Sequence, residues 1–118
     1  MIDEVTKTIL RQIMSGLGRQ VILKKTVALT SSGTIHTPAT GKKLRVYNLK
    51  FSLSADMTDV AMKFGNGSAF EKFLAPKSGG LYGTNLHPNY TEGAADEALK
   101  CDITGTGTVQ INLDYIEV

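Results

Sequence analysis

The sequence predicts a single all-β domain preceded by a short amphipathic helix, and two patterns support this fold class. From about residue 19 onward, short apolar runs alternate with polar residues, and glycines and prolines fall between the runs as turn residues do. Residues 2–17 instead repeat apolar side chains at spacings of three and four, which is typical of a helix. A length of 118 residues fits one domain.

The predicted helix has one apolar face, formed by Ile2, Val5, Ile9, Ile13 and Met14. Asp3 is a suitable N-cap, and Gly16 and Gly18 are suited to end the helix. A helix of about four turns is marginally stable alone in water, so this face needs a partner surface, in the same chain or in another. We therefore divide the chain into a helical arm, residues 1–18, and a β-sandwich domain, residues 19–118.

About eight short strands follow at spacings near 8–12 residues, which favours a sandwich or a barrel. Their predicted ranges are 21–29 (one strand or two), 34–37, 43–54, 58–64, 70–74, 81–86, 98–103 and 109–115. The apolar phase slips by one residue across Tyr47 and Asn48, which predicts a β-bulge near Asn48. The last two strands are predicted to form a hairpin closed by the turn Gly105-Thr106-Gly107.

Charge, hydropathy and cysteine usage argue against several classes of protein. The formal net charge is +2 and adjacent basic residues occur only at 24–25 and 42–43, so no nucleic-acid binding is expected. No stretch approaches the roughly 20 apolar residues of a membrane span, so no membrane association is expected. The single cysteine, Cys101, alternates with apolar residues; we expect it to face the core of a protein made in a reducing compartment.

No sequence motif indicates catalysis, a cofactor or a metal site. His36 and His87 have no partner at metal-ligand spacing, and the acidic residues near 56–59 and 92–97 do not follow the pattern of a calcium loop. Phosphate-binding and nucleophile-elbow motifs are also missing. The sequence therefore predicts a structural or binding module that is not an enzyme. A metalloenzyme of the cupin type, with ligands assembled in space, is an alternative.

One glycine-rich loop, residues 77–90, combines aromatic, amide and hydroxyl side chains that suit sugar or protein contacts. The candidate contact residues are Lys77, Tyr82, Asn85, His87 and Tyr90. The alternative is a long loop that packs on the edge of its own sandwich.

A resemblance to a known class of protein starts at Pro38. The run Pro38-Ala39-Thr40-Gly41-Lys42-Lys43-Leu44-Arg45-Val46 leads into a long strand, and the chain ends in the alternating run 107–118. This order of features resembles small jelly-roll-like virion proteins of tailed bacteriophages, including capsid decoration proteins and fibre domains. The resemblance does not extend to the N-terminal helix.

The resemblance implies an antiparallel, jelly-roll-like β-sandwich that works by contact. It implies a capsid decoration or accessory protein, made in the host cytoplasm and carried in the virion. The partner would be the major capsid or tail protein, and the protein would be a homo-oligomer such as a trimer. No cofactor is expected. The alternative function is a receptor- or carbohydrate-binding module of a tail or fibre that uses the 77–90 loop.

Overall fold

The computed structural model describes residues 21–86 and 89–118, which form two antiparallel sheets in a β-sandwich-like fold. The strands are β1 Leu23–Leu29, β2 Gly33–His36, β3 Leu44–Leu53, β4 Asp59–Phe64, β5 Ala69–Leu74, β6 Leu81–Asn85, β7 Thr91–Glu92, β8 Leu99–Thr104 and β9 Val109–Glu117. In this part of the chain, no helix is long and apolar enough to cross a membrane. The predicted helix at residues 2–17 and the arm boundary at residue 18 lie outside the described residues.

Apart from β4 with β5 and β6 with β7, strands that follow each other in sequence lie in different sheets. The five-stranded sheet has the order β1-β9-β3-β6, and β7 pairs with β3 beyond the end of β6. The four-stranded sheet has the order β2-β8-β4-β5. The pairs β4–β5, β3–β6, β2–β8 and β1–β9 are therefore nested in sequence, each outer pair enclosing the inner ones.

The predicted bulge in β3 is confirmed. The pairing of β3 with β9 shifts register between Val46 and Asn48, which leaves Tyr47 as the extra residue. The shift keeps apolar side chains on the core side before and after the bulge, since Val46, Leu49 and Phe51 are all buried.

The predicted hairpin of the last two strands is wrong. β8 lies in the four-stranded sheet and β9 in the five-stranded sheet, so residues 105–108 carry the chain from one sheet to the other. Gly105 and Gly107 have φ values of +136° and +143°, and a Cβ on Gly107 would lie 3.0 Å from Oγ of Ser54. Alternation is the same for strands that pair and for strands that face each other across a core, so the pattern could not separate the two arrangements.

The core is aliphatic, with a small aromatic cluster on the side of the edge strands β5 and β6. The buried apolar side chains from both sheets are Ile35, Leu44, Val46, Leu49, Phe51, Leu53, Met57, Val60, Met62, Leu99, Cys101, Val109, Ile111, Leu113 and Tyr115. The ring of Phe51 lies 4.9 Å from that of Phe73 and 5.4 Å from that of Tyr82. Cys101 faces this core, as predicted, and burial raises the pKa of its thiol to about 12.

A glycine in the edge strand β6 allows close approach to β3, which gives a first testable prediction. A Cβ on Gly83 would overlap the carbonyl oxygen of Leu49 and lie 2.7 Å from Cα of Lys50. We expect Gly83→Ala to lower the free energy of unfolding by about 2 kcal/mol in urea titrations, since the strand must move away from β3.

The matched control is Gly33→Ala, in the edge strand β2 of the other sheet. Its Cβ would first meet the flexible Leu29 side chain at an ordinary 3.4 Å, so stability should change by no more than about 0.5 kcal/mol. Equal effects of the two substitutions would show that the contact with β3 is not what requires a glycine at position 83.

Candidate functional site

An apolar groove lies where β1 begins, at one edge of the sandwich. The side chains of Val21 and Leu23 are 79% and 45% exposed there. Leu23 pairs with Tyr115 in the edge strand β1 of the five-stranded sheet. The groove has a volume of about 420 Å³, and its other lining residues are Ala39, Lys42, Ile116 and Glu117. Aliphatic side chains in a groove of this kind are suited to contact another apolar surface.

His36 lies beside this groove and connects the two sheets. Its Nδ1 is 3.1 Å from Nζ of Lys25 on β1, and its Nε2 is 3.5 Å from Oε1 of Glu117 on β9. Because an ammonium group only donates, Nδ1 accepts and the neutral ring carries its proton on Nε2. Burial and the charge of Lys25 lower the pKa of His36, although Glu117 acts in the opposite direction. His36 is therefore neutral in the folded protein at pH 7.

The loop after β2 is held by the end of β9. The backbone N–H of Ala39 donates to Oε1 of Glu117 at 2.6 Å, and Lys43 and Val118 exchange two backbone hydrogen bonds of 2.8 and 2.9 Å. Between them, Gly41 has a φ of +79°, which favours glycine, and its N–H donates to Asp96 at 2.6 Å. The run that starts at Pro38 and the run that ends at Val118 are thus hydrogen-bonded to each other.

The predicted contact loop is split by the structure into separate parts. Lys77 is 69% exposed, and its Nζ lies 3.5 Å from the carboxylate of Asp56. The same carboxylate accepts a 2.9 Å hydrogen bond from the N–H of Ser78, which is the main reason why its pKa is lowered. These contacts tie this half of the loop to the connection between β3 and β4.

Tyr82 is an anchor of the core as much as a surface residue. Its hydroxyl accepts a 2.7 Å hydrogen bond from the backbone N–H of Lys77, and its ring packs against Phe51 and Phe73. A ring held in this way orders the loop, and only part of the ring surface remains accessible to an external ligand.

Asn85 and Tyr90 lie away from that anchor, and His87 lies outside the described residues. Asn85 is exposed opposite Asn48 on the outer face of the five-stranded sheet. The ring of Tyr90, 42% exposed, lies 5.6 Å from that of Tyr47, with the guanidinium of Arg45 4.5 Å above it. A 2.9 Å ion pair between Arg45 and Glu92 fixes this stack, and the hydrogen bond that Nε of Arg45 donates to Glu92 raises the pKa of Arg45.

A small slot of about 170 Å³ opens above Gly83, where no side chain fills the outer face of β6. Its lining residues are Lys50, Leu81, Tyr82, Gly83 and Asn85. The sheet beside it carries polar pairs, including Thr26 with Asn112 and Asn48 with Asp114, each joined by a 2.9 Å hydrogen bond. This face offers amide and hydroxyl groups to a polar ligand.

The remaining predicted site residues belong to the N-terminal helix. The apolar helix positions Ile2, Val5, Ile9, Ile13 and Met14 lie outside the described residues. Among the residues that are described, no group of three or more histidine, cysteine or acidic side chains is arranged to hold a metal ion.

Comparisons with known proteins do not connect this chain to a family. No protein-family model matches the sequence, and no curated protein matches it.

The environment of His36 predicts a loss of stability in mild acid. Its folded-state pKa is below the ordinary 6.5, so the unfolded chain binds the proton first as the pH falls. The free energy of unfolding should therefore decrease as the pH drops through 6.5 toward the folded-state pKa. Urea titrations between pH 8 and pH 5 should show a smaller decrease for His36→Gln than for the unsubstituted protein.

The other histidine supplies the control for this measurement. His87→Gln should retain the part of the pH dependence that His36→Gln removes. Identical pH dependence in the unsubstituted protein and in His36→Gln would show that His36 does not carry it.

Proposed function

We propose that this chain is a non-enzymatic virion structural protein, a capsid decoration or accessory protein that binds and stabilises an assembled particle. Its partner is the major capsid or tail protein of the same virion, and it acts as a homo-oligomer. A protein that binds assembled subunits but not free ones shifts the equilibrium toward assembly by mass action, so no catalysis is needed.

One observation carries this proposal: the hydrogen-bonded junction between residues 39–43 and residues 117–118. The resemblance to phage virion proteins rests on the run that starts at Pro38 and on the run that ends at Val118. Their direct pairing gives both runs one physical role, the positioning of the loop before β3 against the end of β9. A pattern whose parts depend on each other in space is better support for a shared fold than two unrelated matches.

The arrangement of the strands supports the finer assignment of a jelly roll. A jelly roll is a two-sheet fold in which a long antiparallel ribbon is wound so that its strands alternate between the sheets. The nested pairs β1–β9, β2–β8, β3–β6 and β4–β5 fit such a ribbon, as do the two sheet orders. Jelly rolls occur in capsid proteins, lectins and cupins alike. The fold alone therefore does not identify the function, which has to be argued from the surfaces of this protein.

Co-sedimentation tests the proposed function. The purified protein should sediment with assembled heads or assembled tails of the virus that encodes it, and it should remain in the supernatant with unassembled subunits. Bound particles should also resist heating better than bare particles, since binding stabilises the assembled state. A protein that stays in the supernatant with both heads and tails would overturn the proposal.

The slot above Gly83 favours a second candidate function, a carbohydrate-binding module. Its polar neighbours and the exposed Tyr90 ring provide hydrogen-bonding groups and an aromatic face on the same side of the protein as Asn85. This function would use the outer face of the five-stranded sheet, whereas the 77–80 segment would support that face from the side.

Glycan binding tests this candidate with three variants. If glycans bind, Asn85→Ala and Tyr90→Ala should each weaken binding at least about ten-fold on a glycan array and in titrations, a loss of about 1.4 kcal/mol. Lys77→Ala is the control with unchanged binding, because Lys77 is exposed and paired with Asp56 but does not line the slot. Absence of glycan binding by the unsubstituted protein would remove the candidate.

A further inference from the structure

The groove at the start of β1 is an apolar opening of about 420 Å³ beside the sandwich core. Val21 is as exposed as Leu74 and Leu81 at the opposite edge, with values of 79%, 75% and 70%. Only Val21 has a second exposed aliphatic side chain, Leu23, in the same groove. Twenty residues precede Val21 in the chain, and they join the fold at the wall of this groove.

We propose that the groove formed by Val21, Leu23, Ala39 and Ile116 receives the N-terminal segment, residues 1–17, of a neighbouring copy of this chain. The inference deepens the proposed function, and it rests on that function only in taking an oligomer as the working form.

The N-terminal segment matches the groove in chemistry. Its predicted helical face carries aliphatic side chains at spacings of three and four, and such a helix is marginal until that face is covered. The acidic residues Asp3 and Glu4 come at its start, where carboxylates are favourable in a helix. The groove is lined by Lys42 and by Glu117, and the Glu117 carboxylate already accepts a hydrogen bond from the N–H of Ala39, so Lys42 is the charge open to these residues. Apolar contact with a complementary charge at one end would also set the direction of docking.

The place of attachment favours a neighbouring copy over the same chain. Val21 and Leu23 are themselves the wall of the groove, so a segment that folds back into it must reverse direction within residues 18–20. Three extended residues span only about 10 Å, so a return into the same groove requires a tight turn of these residues, and so short a connection favours exchange of the segment between copies. A segment that continues outward into the groove of the next copy needs no such reversal. Head-to-tail contacts of this kind close into rings when the rotation between copies permits.

Two single-cysteine variants test whether the contact joins different copies. Ile9→Cys and Ala39→Cys are co-expressed in the full-length chain and oxidised; Cys101 is retained because it is fully buried. A disulfide-linked dimer that contains one chain of each variant is the expected result on a non-reducing gel. The double variant Ile9→Cys/Ala39→Cys is oxidised in parallel. A disulfide confined to single chains of the double variant, or no disulfide in either experiment, would overturn the inference.

Matched surface substitutions measure the same contact without cysteines. Val21→Asp should reduce the molar mass in solution, measured by size exclusion with light scattering, from that of an oligomer to that of the 12.7 kDa chain. Leu74→Asp changes a side chain of nearly equal exposure at the opposite edge, so its molar mass should equal that of the unsubstituted protein. A monomeric unsubstituted protein, or an oligomeric Val21→Asp variant, would contradict the inference.

The outcome can be separated from that of the proposed function. If the unsubstituted protein is an oligomer with the expected disulfide but does not co-sediment with particles, the groove contact is supported and the virion function fails. If the protein co-sediments with particles but is monomeric, the groove contact and the homo-oligomer both fail, and only the binding to particles stands.

Discussion

The fold depends on the pairing of β9 with two partners at once. This strand lies between β1 and β3 in the five-stranded sheet and is hydrogen-bonded to both along most of its length. Its inward side chains Val109, Ile111 and Leu113 are completely buried, so it also supplies one side of the core. Residues 117 and 118 then hold the loop before β3. Strand order, core and loop geometry are therefore set by the same ladder of hydrogen bonds.

Most of the strands could be predicted from the sequence because one face of each is buried, and a buried face imposes a period of two. The bulge at Tyr47 was predictable for the same reason, since apolar residues on both sides of it must face one core. Which strands pair with each other was less predictable. Residues 98–103 and 109–115 look like a hairpin, but alternation describes a single strand and contains no information about its neighbour. The two residues of β7 are too few to form a pattern.

The candidate surfaces could be predicted only in part. Residues 77–90 are close in sequence, but they divide between two places in the fold. Lys77 is paired with Asp56, and Tyr82 packs against the core. Asn85 and Tyr90 lie near residues of β3. The contact of His36 with Lys25 and Glu117 joins three strands that are distant in sequence, and no local motif marks it. The groove at Val21 is lined by residues from positions 21–23, 39–42 and 116–117, which are far apart in the sequence and are brought together only by the fold.

Nested pairing also constrains how the chain folds. The innermost pair, β4 with β5, is separated only by residues 65–68, so its loop-closure entropy is the smallest. The loop-closure entropy lost by each outer pair is smaller once the pair inside it has formed, because the effective loop is shorter. This favours folding from the β4–β5 hairpin outward. Folds with many distant contacts fold slowly. In this order the outermost pair, β1 with β9, would form last, and Leu23 and the adjacent Val21 belong to the edge that would stay unpaired for longest. That edge is where aggregation competes with folding.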